Sequence, residues 1–155
     1  MSSAISGPAE PLRASSIVDR LSQAGYRLTS PRQRIVDLIA PRTDNFSAQD
    51  VLDAIQEHRL SVGRATVFRT LDLLVEMGFL HRMHDEDGCH RYAVCATTHH
   101  HHHLLCSECG VVAELEAPGI ESEIQRLAAE SGFELHSHVL ELVGRCQKCQ
   151  VLSAS

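Results

Sequence analysis

The stretch SVGRATVFRTLDLLVEMGFL, residues 61–80, decides the fold of the first half of the chain. Its apolar side chains recur at the spacing of one helix face, and the main ones are Val67, Leu71, Leu74 and Val75. Gly78 follows, and glycine is the residue that most often ends a helix. The stretch therefore predicts an amphipathic helix over about residues 64–77.

The opposite face of this helix carries small, hydroxyl and guanidinium groups near its N-terminal end. At 100° per residue, the side chains that turn away from the apolar stripe are Ala65, Thr66, Arg69, Asp72 and Leu73. Side chains of these kinds suit the major groove of DNA. The alternative is a plain core helix that binds nothing, and the elements around the helix decide between the two.

Three shorter helices are predicted before residue 64. The first ends near Gly25, the second begins with Ser30 as N-cap and Pro31 in its first turn and is stopped by Pro41, and Ser47 caps the third. After the long helix comes FLHRMHDEDGCHRYAVC, two short extended runs that predict a β-hairpin with its turn at Asp87-Gly88. Helices followed by a hairpin are typical of a winged helix-turn-helix, in which the last helix reads DNA.

Composition allows one ordinary domain or two small ones, because the chain has 155 residues of which 43% are hydrophobic. The formal net charge of -6 lies in the second half: residues 1–84 hold ten Arg and nine acidic residues, and residues 85–155 hold four Lys or Arg and eleven acidic residues. Thirteen of the fourteen basic residues are Arg, whose planar fork suits phosphate and guanine. A DNA-binding first half is compatible with these numbers.

No apolar stretch of the sequence approaches the ~18 residues that a membrane span needs. The first residues, MSSAISGPAEPLRASS, have neither the basic nor the apolar part of a signal peptide. We therefore expect a cytoplasmic protein without a membrane partner.

From Leu104 onward the pattern changes to strands. LLCSE and VVAEL predict two strands, residues 118–130 predict a helix, and FELHSHVLELVGRC predicts one long last strand after Gly132. The fold class expected for the whole chain is therefore α+β. The second domain is too small to bury a sufficient core, so it should need a metal, a partner subunit, or both.

Two Cys-x-x-Cys pairs predict a metal site in this second domain. They are formed by Cys106 with Cys109 and by Cys146 with Cys149. Four thiolates suit tetrahedral zinc and leave no open position, which indicates a structural ion rather than a catalytic one.

Five consecutive histidines, residues 99–103, precede the first pair. If they enter the strand, alternate side chains point to opposite faces. On one face His101 and His103 could join His81 and Cys95 in a mixed nitrogen and sulfur site that suits zinc. On the other face the predicted set is His100, His102, Glu121 and His138. A solvated low-complexity tract is the alternative, and the two histidine pairs could also exchange sites.

The stretches SVGRATVFRTLDLLVEMGFL and HHHHHLLCSECG, with the terminal CQKC, resemble the ferric uptake regulator family of bacterial metal-sensing repressors. The resemblance covers the chain from about Ile17 to Cys149. It implies a homodimer whose small C-terminal α/β domain dimerises and whose winged-helix domain binds operator DNA when the sensed metal is bound. The expected boundaries are a flexible tail at 1–15, a winged-helix domain at 16–94, a hinge at 95–99, and a dimerisation and metal-binding domain at 100–152.

The resemblance also implies DNA contacts. The A-T-V-Y-R motif of the family falls on residues 65–69, where Phe68 replaces the usual tyrosine and keeps a ring able to touch a thymine methyl. Arg27 matches a basic position that enters the minor groove. The full expected set is Arg27, Arg64, Ala65, Thr66, Phe68 and Arg69.

The sensed metal is predicted from the ligands. Iron and peroxide sensors of the family usually place a histidine where this chain has Asn45, and zinc sensors place a cysteine where it has Cys95. This favours the zinc uptake regulator branch, a repressor of zinc uptake genes with up to three zinc ions per subunit. A sensor of iron, manganese or peroxide is the alternative within the family. A zinc-buffering protein or a zinc hydrolase is the alternative outside it, but no H-E-x-x-H motif occurs, so we expect neither an enzyme nor a small-molecule substrate.

Overall fold

The computed structural model describes residues 5–8, 11–84, 90–95, 102–115 and 117–152. The chain divides into two compact units, a helical unit of residues 9–98 and a sheet unit of residues 99–155 together with residues 1–8. In chain order the elements are β1 (Ile5–Pro8), α1 (Ala14–Gln23), α2 (Ser30–Ile39), β2 (Phe46–Ser47), α3 (Ala48–Glu57), α4 (Arg64–Glu76), β3 (Leu80–His84), β4 (His90–Val94), β5 (His102–Cys106), β6 (Val112–Leu115), α5 (Pro118–Glu130), β7 (Glu141–Gly144) and α6 (Gln147–Leu152). Within these described ranges, no helix is both long and apolar enough to cross a membrane.

The helical unit has the order of a winged helix-turn-helix. Helices α1 to α4 are followed by the antiparallel hairpin of β3 and β4, and the short β2 completes a three-stranded sheet of order β2-β4-β3. The hairpin register pairs Leu80 with Val94 and His84 with His90. The predicted turn at Asp87-Gly88 lies outside the described residues. The predicted fold, α+β with an N-terminal winged helix, is confirmed.

One apolar core holds the helical unit together. It draws side chains from all four helices and the sheet, and the largest that are fully buried are Phe46, Ile17, Leu21, Ile35, Ile39, Leu71 and Leu74. Full burial of each such side chain contributes about 1.5–3 kcal/mol relative to leaving it in water. Burial of apolar surface is therefore the main contribution to the stability of this unit.

The helix ends follow the local sequence closely. Ser47 caps α3 as predicted, and it forms a reciprocal capping box in which the Ser47 and Asp50 side chains each accept a bond from the other's backbone N–H. The predicted cap of α2 is wrong by one residue. Thr29, not Ser30, is the N-cap, because its hydroxyl accepts from the backbone N–H of Arg32 at 3.4 Å.

Helix α4 buries a wider sector than the predicted stripe. Val67, Leu71 and Leu74 are fully buried as expected, but Leu73, predicted on the outward face, is only 7% exposed. The reason is that α4 packs against α2, α3 and β3 together, so that its C-terminal half is covered on more than one side. The outward face is thus narrower in the C-terminal half of the helix, where Asp72 and Glu76 remain exposed.

The sheet unit is a four-stranded sheet of order β1-β6-β5-β7. The central β5 pairs antiparallel with β6 and parallel with β7. Strand β1 lies within the predicted flexible tail and pairs antiparallel with β6, with Ile5 opposite Leu115. A strand forms there because β6 would otherwise be a sheet edge, whose backbone groups an extended segment can satisfy.

Two predictions for the end of the chain need correction. The long last strand is reduced to β7, because its ladder with β5 begins at the pair His103 and Glu141 and no other described strand lies beside residues 133–140. Residues 147–152 form the short helix α6, which was not predicted and which contains Cys149. The helix predicted at 118–130 is confirmed as α5.

Candidate metal sites and nucleic acid surface

Four cysteines of the sheet unit form one cluster. Cys106 ends β5, Cys109 lies in the turn before β6, Cys146 follows β7, and Cys149 lies in α6. The turn is closed by Gly110, whose backbone N–H donates to the Cys106 carbonyl at 2.9 Å and whose φ is 72°. The four sulfur atoms all lie within 4.8 Å of one another. The sequence-predicted set is thus brought together by four separate elements.

The geometry of this cluster fits zinc. In a tetrahedral site with Zn–S bonds of about 2.3 Å, the sulfur atoms lie about 3.8 Å apart. The Cys109 and Cys146 Sγ atoms are 3.7 Å apart. Four sulfur ligands leave no open coordination position, so the cluster suits a structural ion.

The thiols of the cluster differ in their affinity for protons. The backbone N–H of Cys146, which donates to the Cys106 sulfur at 3.3 Å, and that of Cys109 lower the pKa of Cys106 to about 6. Hydrogen bonding with Cys146, together with burial, raises the pKa of Cys149 to about 12. Cysteine binds zinc as the thiolate, so zinc binding at this cluster would displace these protons and would weaken as the pH falls.

A second cluster combines two imidazoles and one carboxylate. The His102 Nε2 atom lies 2.7 Å from Glu121 Oε1, and the His138 Nε2 atom lies 3.3 Å from the same oxygen. Their possible ligand atoms all lie within 4.8 Å of one another, and His102 is only 3% exposed. A 300 Å³ cavity lined by Glu121, His136 and His138 adjoins them. Two nitrogens and one oxygen can hold zinc, iron or manganese.

The predicted fourth member of this set, His100, and the predicted ligand His101 lie outside the described residues. Of the other predicted regulatory ligands, His103 is buried in β5 of the sheet unit. His81 and Cys95 lie at the same end of the β3 and β4 hairpin in the helical unit. There the Cys95 backbone N–H donates to the Phe79 carbonyl at 2.9 Å, and Cys95 is 6% exposed.

Two carboxylates beside the histidine run were not predicted from the sequence. In the register of the sheet, His103 stands directly opposite Glu114 of β6 on one side and Glu141 of β7 on the other. Side chains directly opposite each other share a face of the sheet. Glu114 is 4% exposed, which is rare for a carboxylate without a counterion or metal. The alternation within VVAEL was the one sequence signal for the face of the sheet that Glu114 occupies. Its position opposite His103 follows from the strand register.

The N-terminal half of α4 presents the predicted DNA-binding side chains. Arg64, Ala65, Phe68 and Arg69 are exposed, and Thr66 is half-buried. The Arg64 guanidinium lies over the Phe68 ring at 5.4 Å from its centroid, and this ring is 39% exposed. An exposed ring beside guanidinium groups can contact thymine methyls and phosphates.

Arg27, the predicted minor-groove residue, is also exposed in the loop between α1 and α2. Asn45, which stands where iron and peroxide sensors usually carry a histidine, is buried before β2. Its side-chain oxygen accepts from Arg91 Nε, and its backbone carbonyl accepts from Arg91 at 3.3 Å. Asn45 thus joins the loop before α3 to strand β4.

A family model and the most similar known proteins agree on one family. The model of the Ferric uptake regulator family matches residues 23–143. The zinc uptake regulation protein of Escherichia coli (strain K12) is 34% identical over 136 residues, which are 86% of this chain and 78% of that protein. The ferric uptake regulation protein of Neisseria meningitidis serogroup A / serotype 4A is 34% identical over 134 residues, which are 86% of this chain and 92% of that protein.

Solved structures agree with these sequence relatives. A zinc uptake regulator complexed with zinc and DNA is 32% identical, superposes with a TM-score of 0.76, and is matched over 92% of this chain and 95% of that one. A zinc-bound manganese uptake regulator is 29% identical with a TM-score of 0.60, over 84% of this chain and 98% of that one.

Proposed function

The chain belongs to the ferric uptake regulator family of metal-responsive DNA-binding regulators, and from this membership we propose that it is a zinc-dependent transcriptional repressor. In this proposal a homodimer binds operator DNA when zinc is bound and controls zinc uptake genes. The observation that carries the proposal is the exposed N-terminal half of α4, with Arg64, Phe68 and Arg69 on the last helix before the hairpin. A repressor acts where the chromosome lies, so a cytoplasmic location follows from the proposed function.

DNA binding is supported by the charge on this surface. Among the described residues, neither Arg64 nor Arg69 forms an ion pair, so both guanidinium groups are available to phosphate or guanine. We propose that Thr66 and Ala65 approach base edges beside them and that Arg27 enters the adjacent minor groove. Phe68 would read a thymine methyl by apolar contact, since its ring has no hydroxyl.

A homodimer is supported by the apolar surface of the sheet unit. In the segment of residues 133–143, Phe133 is 73% exposed, Leu135 38%, Val139 78% and Val143 68%. Exposed apolar side chains that follow one another in this way mark a contact surface. We propose that a second copy of the chain covers this segment, because a two-fold dimer places two recognition helices on the two half-sites of an operator.

We propose three zinc sites per subunit. The structural site is the four-cysteine cluster, whose sulfur spacing fits zinc, and the additional site is formed by His102, Glu121 and His138, with His100 as a further ligand. The regulatory site takes Cys95, His101 and His103, with His81 as its predicted fourth ligand. The buried Glu114 opposite His103 competes with His81 for that position, so His81→Ala and Glu114→Gln variants should be compared.

Two residues favour zinc, and not iron, manganese or peroxide, as the signal that the protein senses. Cys95 offers a thiolate, which suits zinc better than manganese. Asn45 stands where iron and peroxide sensors carry a histidine, and its side chain is engaged with Arg91. A ferric regulator is the second candidate, because ferric uptake regulation proteins are as similar in sequence as the zinc ones.

The proposal is tested by metal titrations with an AT-rich palindromic operator, using fluorescence anisotropy and metal buffers for zinc, iron(II) and manganese(II). The chain is first loaded with one zinc per subunit to occupy the structural site. Further zinc should then tighten DNA binding by about 5–150-fold, the usual range of coupling between two ligands. An equal affinity at all metal concentrations would contradict a metal-dependent regulator, and restoration by iron(II) but not zinc would contradict the zinc assignment alone.

A further inference from the structure

A row of side chains crosses the small sheet of the helical unit. Arg82 of β3 stands directly opposite Tyr92 of β4, and Tyr92 stands opposite Phe46 of β2. The Arg82 guanidinium lies over the Tyr92 ring at 5.8 Å from its centroid. The Tyr92 and Phe46 rings are 5.9 Å apart, and both are buried. The inner end of this row is thus anchored in the core.

The outer end of the row reaches helix α4. The Arg82 guanidinium forms an ion pair with the carboxylate of Asp72, which lies six residues after Thr66 in α4. The Asp72 and Arg82 side chains are 61% and 34% exposed. An ion pair as exposed as this contributes only about 0–1 kcal/mol to folding, because water screens it. The Asp72 and Arg82 pair therefore links the hairpin to α4 without being needed for the fold.

The same hairpin carries two residues of the proposed regulatory site. His81 precedes Arg82, and its side chain leaves the opposite face of β3 because successive side chains alternate. Cys95 directly follows β4, and its backbone N–H is bound to the Phe79 carbonyl at 2.9 Å, so it is held at the base of β3. A metal ion that fixes the position of Cys95 must therefore also fix the strand from which Arg82 extends.

From this arrangement we infer that Arg82 is a positioning residue that couples metal binding at the end of the hairpin to the orientation of the DNA-reading helix α4. The inference rests on the proposed function, since it needs both a regulatory metal near Cys95 and DNA contact by α4. Arg82 itself binds neither the metal nor DNA in this account. It transmits the constraint through its ion pair with Asp72 and its contact with Tyr92.

The test measures operator affinity at saturating and at vanishing free zinc for the full chain and its variants, all loaded at the four-cysteine site. The quantity of interest is the ratio of the two affinities. Arg82→Met and Asp72→Ala should each lower this ratio by about fivefold or more, which is the lower end of usual coupling between sites. Asp72→Glu keeps the carboxylate and should restore most of the ratio.

Arg126→Met is the matched control, because it removes another exposed arginine, whose ion pairs with Glu123 and Glu130 lie within α5. It should leave the ratio unchanged. Zinc content and thermal unfolding should be the same for all variants.

If Arg82→Met keeps the wild-type ratio, the inference is wrong even though the proposed function stands. If Asp72→Ala strengthens DNA binding equally with and without zinc, Asp72 acts only by repelling phosphate and the inference is likewise wrong. A wild-type ratio of one would overturn the proposed function instead.

Discussion

The two units of the chain bury different kinds of side chain. In the helical unit the fully buried residues are mainly apolar groups from every helix, with Thr70 as a polar exception. In the described part of the sheet unit, the buried residues are mostly groups able to bind metal: His102, His103, Glu114, Cys106 and Cys149, with Val112 as the apolar exception.

The exposed apolar side chains show the opposite distribution. Of the eight large ones among the described residues, only Phe68 lies in the helical unit. The helical unit thus contains a sufficient core within one chain, whereas the described part of the sheet unit leaves seven large apolar side chains exposed and buries groups able to bind metal. We propose from this difference that apolar burial stabilises the helical unit, whereas the sheet unit needs a metal ion and a second subunit.

The largest expected effect is the loss of the structural zinc site. Cys106→Ser removes one of four thiolates, and the binding of structural zinc supplies about 10–16 kcal/mol of apparent free energy in small zinc domains. The sheet unit should unfold and the helical unit should stay folded. Hydrogen exchange of the two units measures this, with Glu108→Gln as a control in the same turn. Simultaneous unfolding of both units would show that they do not differ in the proposed way.

A core substitution tests the other side of the comparison. Leu71→Ala removes a fully buried side chain from α4 and should lower the free energy of unfolding of the helical unit by about 2–5 kcal/mol. Denaturant titration monitored by helix content gives this value, and Glu57→Ala on the exposed side of α3 serves as control. The zinc content of the sheet unit should not change. A loss of zinc in Leu71→Ala would mean that the metal site depends on the helical core.

The exposed segment 133–143 offers a test of the proposed dimer. Val139→Asp places a charge on a side chain that is 78% exposed in the single chain, so the fold of the subunit should not suffer. The dimer should weaken by about 2 kcal/mol or more, or roughly 30-fold, as when a central interface residue is lost. Sedimentation equilibrium measures the dissociation constant. Val151→Asp, 64% exposed on α6, is the control, and equal dimerisation of Val139→Asp and wild type would exclude this segment as the interface.

The smallest effect concerns the cap of α3. Although burial raises it, the pKa of Asp50 is lowered overall by hydrogen bonds from the Ser47 backbone and side chain and by nearby arginines. Because the folded pKa lies below the unfolded one, the stabilisation is complete above the unfolded pKa and is lost as the pH falls through the folded pKa.

Asp50→Asn should therefore cost about 1 kcal/mol in the helical unit at neutral pH and less near pH 3. Denaturant titrations at the two pH values measure the difference. The neighbouring exposed Asp53→Asn is the control. A cost for Asp50→Asn that does not decrease on acidification would contradict the charged capping box.

Much of the fold follows from local sequence. The limits of α5 and the cap of α3 were predicted because helix ends depend on residues within one turn, such as Ser47 and Asp50. The four cysteines were found for the same reason, since each pair is separated by two residues. These features need no knowledge of distant parts of the chain.

Features that depend on strand pairing were missed. Strand β1 pairs with the side of β6 that would otherwise be a sheet edge, and the last strand is short because its ladder with β5 starts at Glu141. The buried Glu114 was overlooked for the same reason, because its position opposite His103 is fixed by register between strands and not by spacing along the chain. Leu73 was assigned to the wrong face because several neighbours cover α4.

The central claim, that a metal held by Cys95 controls DNA binding by α4, is tested most directly by operator titrations of wild type and Cys95→Ser at buffered free zinc. Both proteins should retain the zinc of the four-cysteine cluster and fold alike. We predict that zinc tightens DNA binding of wild type and has no effect on Cys95→Ser, which should bind at the affinity of the zinc-depleted wild type. A Cys95→Ser protein whose operator affinity still rises with zinc as it does in wild type would contradict the account.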